Sequence, residues 1–215
     1  LVVDEFRIPL AASSGAGSCD MDEEKDVPPV ISDCGDELVV EAGRVRFCFS
    51  KTEACLKDIT CLKQAGEDRD TILLGGPYLH LSGYELPAWE RTAPVYAAIE
   101  GGKAVVGLYG RYGKAAEVLF VFRIGGDGSL SVEYQLLNHS LYEEKLRELG
   151  IAFDIPADVC RVDWNRKGLY SVYPKNHIGR EKGSAERVCR EAAAAGYGAQ
   201  PAWDWKDDMY DSFLY

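Results

Sequence analysis

Residues 118–137 read VLFVFRI, then GGDG, then SLSVEYQLL, and this stretch decides the fold. Two runs rich in β-branched and aromatic residues, separated by a glycine-rich turn, are typical of a β-hairpin. In the second run Leu130, Val132 and Tyr134 alternate with Ser131 and Glu133. A period of two places the apolar side chains on one face of a strand. We therefore expect a hairpin with one buried face and one solvent-facing face.

The same pattern recurs along the chain at intervals of about ten residues. Leu38–Val40 and Val45–Phe49 flank turn residues 41–44, while Pro94–Ile99 and Ala104–Tyr109 flank residues 100–103. Further β-rich runs cover residues 55–62 and 72–74, and Gly75-Gly76-Pro77 predicts a break after the second of them. Short strands joined by turns predict an all-β fold, an antiparallel β-sandwich.

Two segments precede the main β region, which is expected to occupy residues 38–215. Residues 1–10 alternate and predict an edge strand that reaches Pro9. Residues 11–37 hold eight acidic residues against the single Lys25, and so carry most of the net charge of −11. They lack the apolar periodicity of a packed element and predict an acidic, flexible linker. A calcium site is the alternative, but the alternating ligands and turn glycine of a calcium loop are absent.

Charge and cysteine content argue against several kinds of partner. A net charge of −11 disfavours nucleic acid, whose binding needs a basic surface. No apolar run approaches the ~20 residues that span a membrane, so a membrane is not an expected partner either. The seven cysteines include no C-x-x-C pair, which argues against a zinc site and a complete disulfide framework. Reduced thiols slightly favour a cytoplasmic source, with a periplasmic or secreted protein that pairs six of them as the alternative.

The sequence assigns no catalytic residue, metal or cofactor. It contains no nucleophile elbow, phosphate loop or metal-binding helix motif. Gly107, Gly110 and Gly113 are regularly spaced, but they follow a strand and open no helix. Glycosidases need two carboxylates at a fixed separation, and spacing alone selects no pair among 35 acidic residues.

The segment 161–183 holds the candidate ligand-binding residues. It reads RVDWNRKGLYSVYPKNHIGREKG and combines aromatic rings with hydrogen-bond donors. Aromatic faces and side-chain donors are the groups that hold a sugar ring. We therefore predict carbohydrate contacts from Trp164, Tyr173, His177 and Arg180. The alternative is structural: the Trp and Tyr side chains pack in a core and Arg180 braces a loop.

Motifs along nearly the whole chain resemble those of one enzyme family. They are Phe6–Leu10, the hairpin Val45–Phe49 with Leu56–Ile59, the step Leu73-Leu74-Gly75-Gly76-Pro77, the run Leu149–Pro156, and Val162-Asp163-Trp164 with Gly168 and Tyr173-Pro174. In this order they resemble the C-terminal β-sandwich, or small-chain domain, of glycoside hydrolase family 2 enzymes of the β-galactosidase type.

This resemblance implies a large antiparallel supersandwich related to galactose mutarotases, incomplete at its C-terminus. It implies that residues 1–10 end a preceding immunoglobulin-like domain. It also implies that a catalytic barrel, in the same polypeptide or a partner chain, carries the two catalytic glutamates. Because the first residue is Leu1 rather than Met, we expect the chain to begin within a longer polypeptide. The parent protein would hydrolyse O-glycosidic bonds, while this chain would be a non-catalytic support that walls the sugar cleft.

The chain also departs from the family pattern. Tyr78–Ser82 replaces an Arg-Ala-Pro and paired-acid motif, Ser171 stands where the family has an acid, and residues 175–180 form an insertion. Two other functions therefore remain open. One is a free-standing carbohydrate-binding module that uses the same aromatic residues. The other is a mutarotase-like epimerase, for which His177 with Asp163 is the acid–base pair that the segment offers.

Overall fold

A computed structural model describes residues 7–8, 27–63, 68–81, 84–141, 149–159, 161–165 and 182–186. The chain forms two compact units, Leu1–Pro156 and Ala157–Tyr215. The described part of the first unit contains the strands β1 (Arg7–Ile8), β2 (Val30–Cys34), β3 (Glu37–Ala42), β4 (Val45–Ser50), β5 (Cys55–Leu62), β6 (Arg69–Leu73), β7 (Gly75–Leu81), β8 (Trp89–Arg91), β9 (Tyr96–Glu100), β10 (Lys103–Tyr112), β11 (Ala116–Ile124), β12 (Leu130–His139) and β13 (Leu149–Asp154).

These strands form two antiparallel sheets. A six-stranded sheet has the order β1-β12-β11-β10-β8, and β9 also pairs with β10. A seven-stranded sheet has the order β13-β7-β5-β4-β3-β2, and β6 also pairs with β5. Most neighbours in the sheets are joined by tight turns, which is the connection that antiparallel pairing permits.

The core lies between the two sheets. Phe47 and Phe49 of β4 and Phe120 and Phe122 of β11 are at most 2% exposed. The rings of Phe49 and Phe122 meet edge to face, with centroids 5.1 Å apart and an interplanar angle of 78°. Because these rings come from different sheets, this contact joins the two layers. The predicted all-β antiparallel sandwich is confirmed.

The hairpin over residues 118–137 forms as the sequence predicts. Ile124 lies opposite Leu130, and the turn closes with the Gly125 amide donating to the Ser129 carbonyl over 2.9 Å. Gly128 has φ +80°, a conformation that glycine adopts without steric cost. Within β12, Leu130 and Tyr134 are buried whereas Gln135 is exposed. The alternation of apolar and polar residues in the sequence therefore corresponds to the alternation of buried and solvent-facing side chains in β12.

The structure places strands in several segments where the sequence predicts none, and two of them contradict an explicit prediction. Val30–Cys34, inside the predicted acidic linker, forms β2 and pairs with β3, with Ile31 opposite the buried Val40. The predicted break at Gly75-Gly76-Pro77 is wrong, because β7 begins at Gly75 and only Leu74 separates it from β6. In both segments cross-strand pairing supplies partners for the backbone and overrides the turn propensity of the local sequence.

Arg7–Ile8 pairs with Ser131 and Leu130 at the edge of the six-stranded sheet. In the second unit, β14 (Arg161–Asn165) pairs with β15 (Lys182–Glu186), and Trp164 lies opposite Gly183. No helix in the described residues is long and apolar enough to cross a membrane.

Candidate functional site

Two of the sequence motifs meet in space at the edge of the seven-stranded sheet. The step 73–77 leads into β7, and the run 149–156 contains β13. The two strands pair with Gly75 opposite Asp154 and Tyr78 opposite Ala152. Leu79 and Leu81 of β7 are buried in the core, so Tyr78 and His80 point to the outer face of the sheet. Tyr78 and Asp154 are more than 70 residues apart in the sequence, so their proximity becomes apparent only when the two strands are seen to pair.

Tyr78 and Asp154 form the polar centre of this site. The Tyr78 hydroxyl donates a hydrogen bond to Asp154 Oδ2 over 2.8 Å. The Asp154 carbonyl in turn accepts from the Leu74 amide, also over 2.8 Å. Tyr78 remains 41% exposed and Leu74 54% exposed. A partly exposed aromatic ring therefore lies beside a carboxylate whose position both strands define, and we call this pair the Tyr78–Asp154 site.

Two glycines make room for this arrangement. A Cβ atom at Gly75 would lie 2.7 Å from the Tyr78 hydroxyl and 3.6 Å from Asp154 Oδ2. Any side chain at position 75 would therefore displace the tyrosine ring. Gly76 has φ +111°, and a Cβ there would lie 2.9 Å from the Ala152 carbonyl oxygen. The Gly76–Pro77 peptide bond is cis. Because neither residue has a side chain, Gly75 and Gly76 let β7 and β13 approach closely.

The surroundings of Tyr78 define what it can do chemically. Burial, and then the hydrogen bond to Asp154, raise the pKa of Tyr78 to about 12. The hydroxyl is therefore protonated at neutral pH, where it acts as a donor and not as a general base. The face of the ring carries partial negative charge, which attracts the polarised C–H groups of a sugar. Asp154 supplies further lone pairs for hydroxyl groups.

The predicted sugar-binding residues lie in the second unit. Trp164 belongs to β14, and no side-chain environment is described for it. Tyr173, His177 and Arg180 lie outside the described residues. Asp163, the suggested acid partner of His177, is an exposed residue of β14. The sugar contacts of these four residues stay a prediction from the sequence.

Sequence reasoning missed the Tyr78–Asp154 site. The one signal in the sequence was the departure at Tyr78, where a tyrosine stands in place of the motif expected after the Gly-Pro step. Asp154 belonged to a second motif, and nothing in either motif showed that the two are neighbours. Pairing of β7 with β13 supplies that information.

Cysteine chemistry offers no competing site in the described part of the chain. Cys34, Cys48, Cys55 and Cys61 are free thiols. Burial, with the charges of Asp58 and Glu37, raises the pKa of the Cys48 thiol to about 11, so it is a poor nucleophile at neutral pH. No group of three or more His, Cys, Asp or Glu side chains able to hold a metal ion occurs among the described residues.

No protein-family model matches this chain, and no curated protein matches it.

Proposed function

We propose that this chain is a non-catalytic, carbohydrate-contacting β-sandwich that belongs to a glycoside hydrolase of the β-galactosidase type. The pairing of β7 with β13 carries the proposal, because it joins two motifs of the family resemblance into one exposed aromatic–carboxylate site. The antiparallel sandwich supports it at the level of fold. The Tyr78–Asp154 site of the first unit would contact a sugar, and the contacts predicted from the sequence for Trp164, Tyr173, His177 and Arg180 are a separate part of the proposal.

The chemistry of the site fits binding and not bond cleavage. A glycosidase needs one carboxylic acid and one carboxylate across the scissile bond. Asp154 is instead the acceptor of a hydrogen bond from a tyrosine that keeps its proton. The proposal therefore leaves the cleavage to two glutamates of a catalytic barrel in the same polypeptide or in a partner chain. A parent gene and neighbouring genes without such a barrel would contradict this part of the proposal.

Calorimetric titration of the 215-residue chain tests the binding itself. Galactosides and glucuronides should give measurable heat with dissociation constants of about 1 mM, the range of a single exposed site. Tyr78→Ala and Asp154→Asn should each weaken binding about tenfold, since each loses contacts worth about 1.4 kcal/mol. No heat at millimolar ligand contradicts the proposal.

Tyr78→Phe is the matched control. It retains the ring and removes only the hydroxyl that donates to Asp154. If the ring face carries the contact, this variant keeps most of the affinity that Tyr78→Ala loses. A free-standing binding module would show the same affinities, and failure of the chain to associate with any barrel would favour that second function.

A further inference from the structure

His80 shares the outer face of β7 with Tyr78. The residues on either side of it, Leu79 and Leu81, are buried, so alternation directs the imidazole to the same side as the phenol ring. Tyr78 is 41% exposed and His80 is also exposed. Two residues of a strand span roughly 7 Å, a distance similar to the length of one pyranose unit. The two rings can therefore contact neighbouring units of one sugar chain.

The strand beside these rings does not cover them. Ala152 of β13 lies opposite Tyr78, and Gly150 lies opposite His80. Ala152 is exposed, and a Cβ atom at Gly150 would meet nothing within 4 Å beyond its chain neighbours. Cross-strand partners share a face, and these two partners contribute only one methyl group to it. The surface beside the rings is therefore open on the β13 side, and we call Tyr78, His80, Gly150 and Ala152 the β7 ledge.

Asp154 lies at one end of the β7 ledge. Because β13 runs antiparallel to β7, Asp154 lies opposite Gly75, on the side of Tyr78 away from His80. Its Oδ2 accepts a hydrogen bond from the Tyr78 hydroxyl over 2.8 Å. A carboxylate offers acceptors, whereas an imidazole offers a flat ring and nitrogen atoms that bond to hydroxyls. Carboxylate, phenol and imidazole thus follow one another along β7, an order that suits a hydroxyl-rich ligand longer than one ring.

We propose that the β7 ledge takes an oligosaccharide of at least two units, laid along the strand with one unit on Tyr78 and the next on His80. This inference rests on the proposed function, because the unit on Tyr78 occupies the Tyr78–Asp154 site. It adds a second subsite and makes His80 the residue that distinguishes a sugar chain from a single sugar. Once the first unit is bound, the next unit is held near His80 at high effective concentration, so weak contacts there raise the affinity.

Calorimetric titration of the full chain with methyl β-galactoside and with galactobiose, a β-linked disaccharide, tests the second subsite. The disaccharide should bind about tenfold more tightly than the monosaccharide. His80→Ala should abolish this difference and leave the affinity for the monosaccharide unchanged. Tyr78→Ala should weaken the binding of both ligands, since it removes the first subsite. His139→Ala, which removes an exposed histidine at the end of β12, is the matched control and should change neither affinity.

The outcomes separate this inference from the proposed function. Equal affinities for the two ligands in the unmodified chain would overturn the inference and leave the proposed function standing. A preference for the disaccharide that survives His80→Ala would also overturn it, as would loss of the preference in His139→Ala. If His80→Ala weakens the binding of both ligands equally, His80 belongs to the first subsite and the inference is wrong. No heat with either ligand would contradict the proposed function, and the inference with it.

Discussion

Gly110→Ala should destabilise the sandwich because an indole ring already occupies the space of the new methyl group. Gly110 lies in β10 opposite Arg91 of β8. A Cβ atom there would lie 2.3 Å from Trp89 Cζ2 and 2.5 Å from both Cε2 and Cη2. Carbon atoms in contact prefer separations of about 3.5–4.0 Å, so the indole would have to move by about 1 Å.

The indole cannot move that far without losing other interactions. Its Nε1 donates to the carbonyls of Glu53 and Ala54, each over 3.1 Å. Its ring lies 5.1 Å from that of Tyr112 and 5.6 Å from that of Phe120. Overpacking of this kind costs about 1–3 kcal/mol, and a lost hydrogen bond about 0.5–1.5 kcal/mol. Replacing a strand glycine returns about 0.5–1 kcal/mol, which leaves a net loss of about 1–3 kcal/mol.

Urea unfolding followed through the amide signals of β10 and β11 measures this loss within the first unit. The midpoint should fall with an unchanged slope, since the same surface is exposed on unfolding. Gly107→Ala is the matched control in the same strand, and it should be neutral or stabilising by about 0.5–1 kcal/mol. In a Trp89→Ala background, Gly110→Ala should no longer destabilise. Equal midpoints for Gly110→Ala and the unmodified chain would refute the steric reasoning.

Three further predictions concern single side chains. Tyr112→Phe removes the acceptor of the buried Leu79 amide, 2.9 Å away, and should cost about 1–3 kcal/mol in urea unfolding; no change would mean that the amide finds another acceptor. Because the pKa of Tyr78 is raised to about 12, the protonated tyrosine contributes its full share to the stability of the fold below pH 10, and this share is lost as the pH rises towards 12. Asp154→Asn should lower this pKa, as measured by NMR of the tyrosine ring carbon. An unchanged pKa would contradict the role of Asp154. Among the four cysteines that the structure describes, thiol alkylation read by mass spectrometry should modify the exposed Cys34 before Cys48, which is 2% exposed and whose pKa burial raises to about 11; the reverse order would contradict the structure.

Strands with strict alternation were predictable from sequence because one local signal determines both their extent and their buried face. The hairpin over residues 118–137 carries this signal in both arms. β2 carries it poorly, since Ser32, Asp33 and Cys34 show no apolar alternation and the strand depends on pairing with β3. β7 begins with turn-forming residues, and its start is likewise decided by its neighbours β5 and β13.

Candidate sites were harder to predict than strands because a site depends on which strands become neighbours. The sequence drew attention to 161–183, where aromatic and basic residues lie close together along the chain. The Tyr78–Asp154 site instead combines residues from different strands. Tyr78 and Asp154 are 76 positions apart and meet only because β7 and β13 pair. Local composition contains no information about such register.

The glycines at 107, 110 and 113 show why regular spacing has to be interpreted through the geometry of the element. In a helix, residues three apart lie on one side, but in β10 successive side chains alternate. Gly107 therefore faces outward and Gly110 faces Trp89, while Gly113 lies beyond the strand with φ +54°. Packing against Trp89 requires glycine at position 110, and the positive φ favours glycine at position 113. Gly107 is buried, and side-chain atoms of Tyr96 and Tyr109 lie within 3.8 Å of a Cβ placed there, so a residue larger than alanine would meet these two tyrosines.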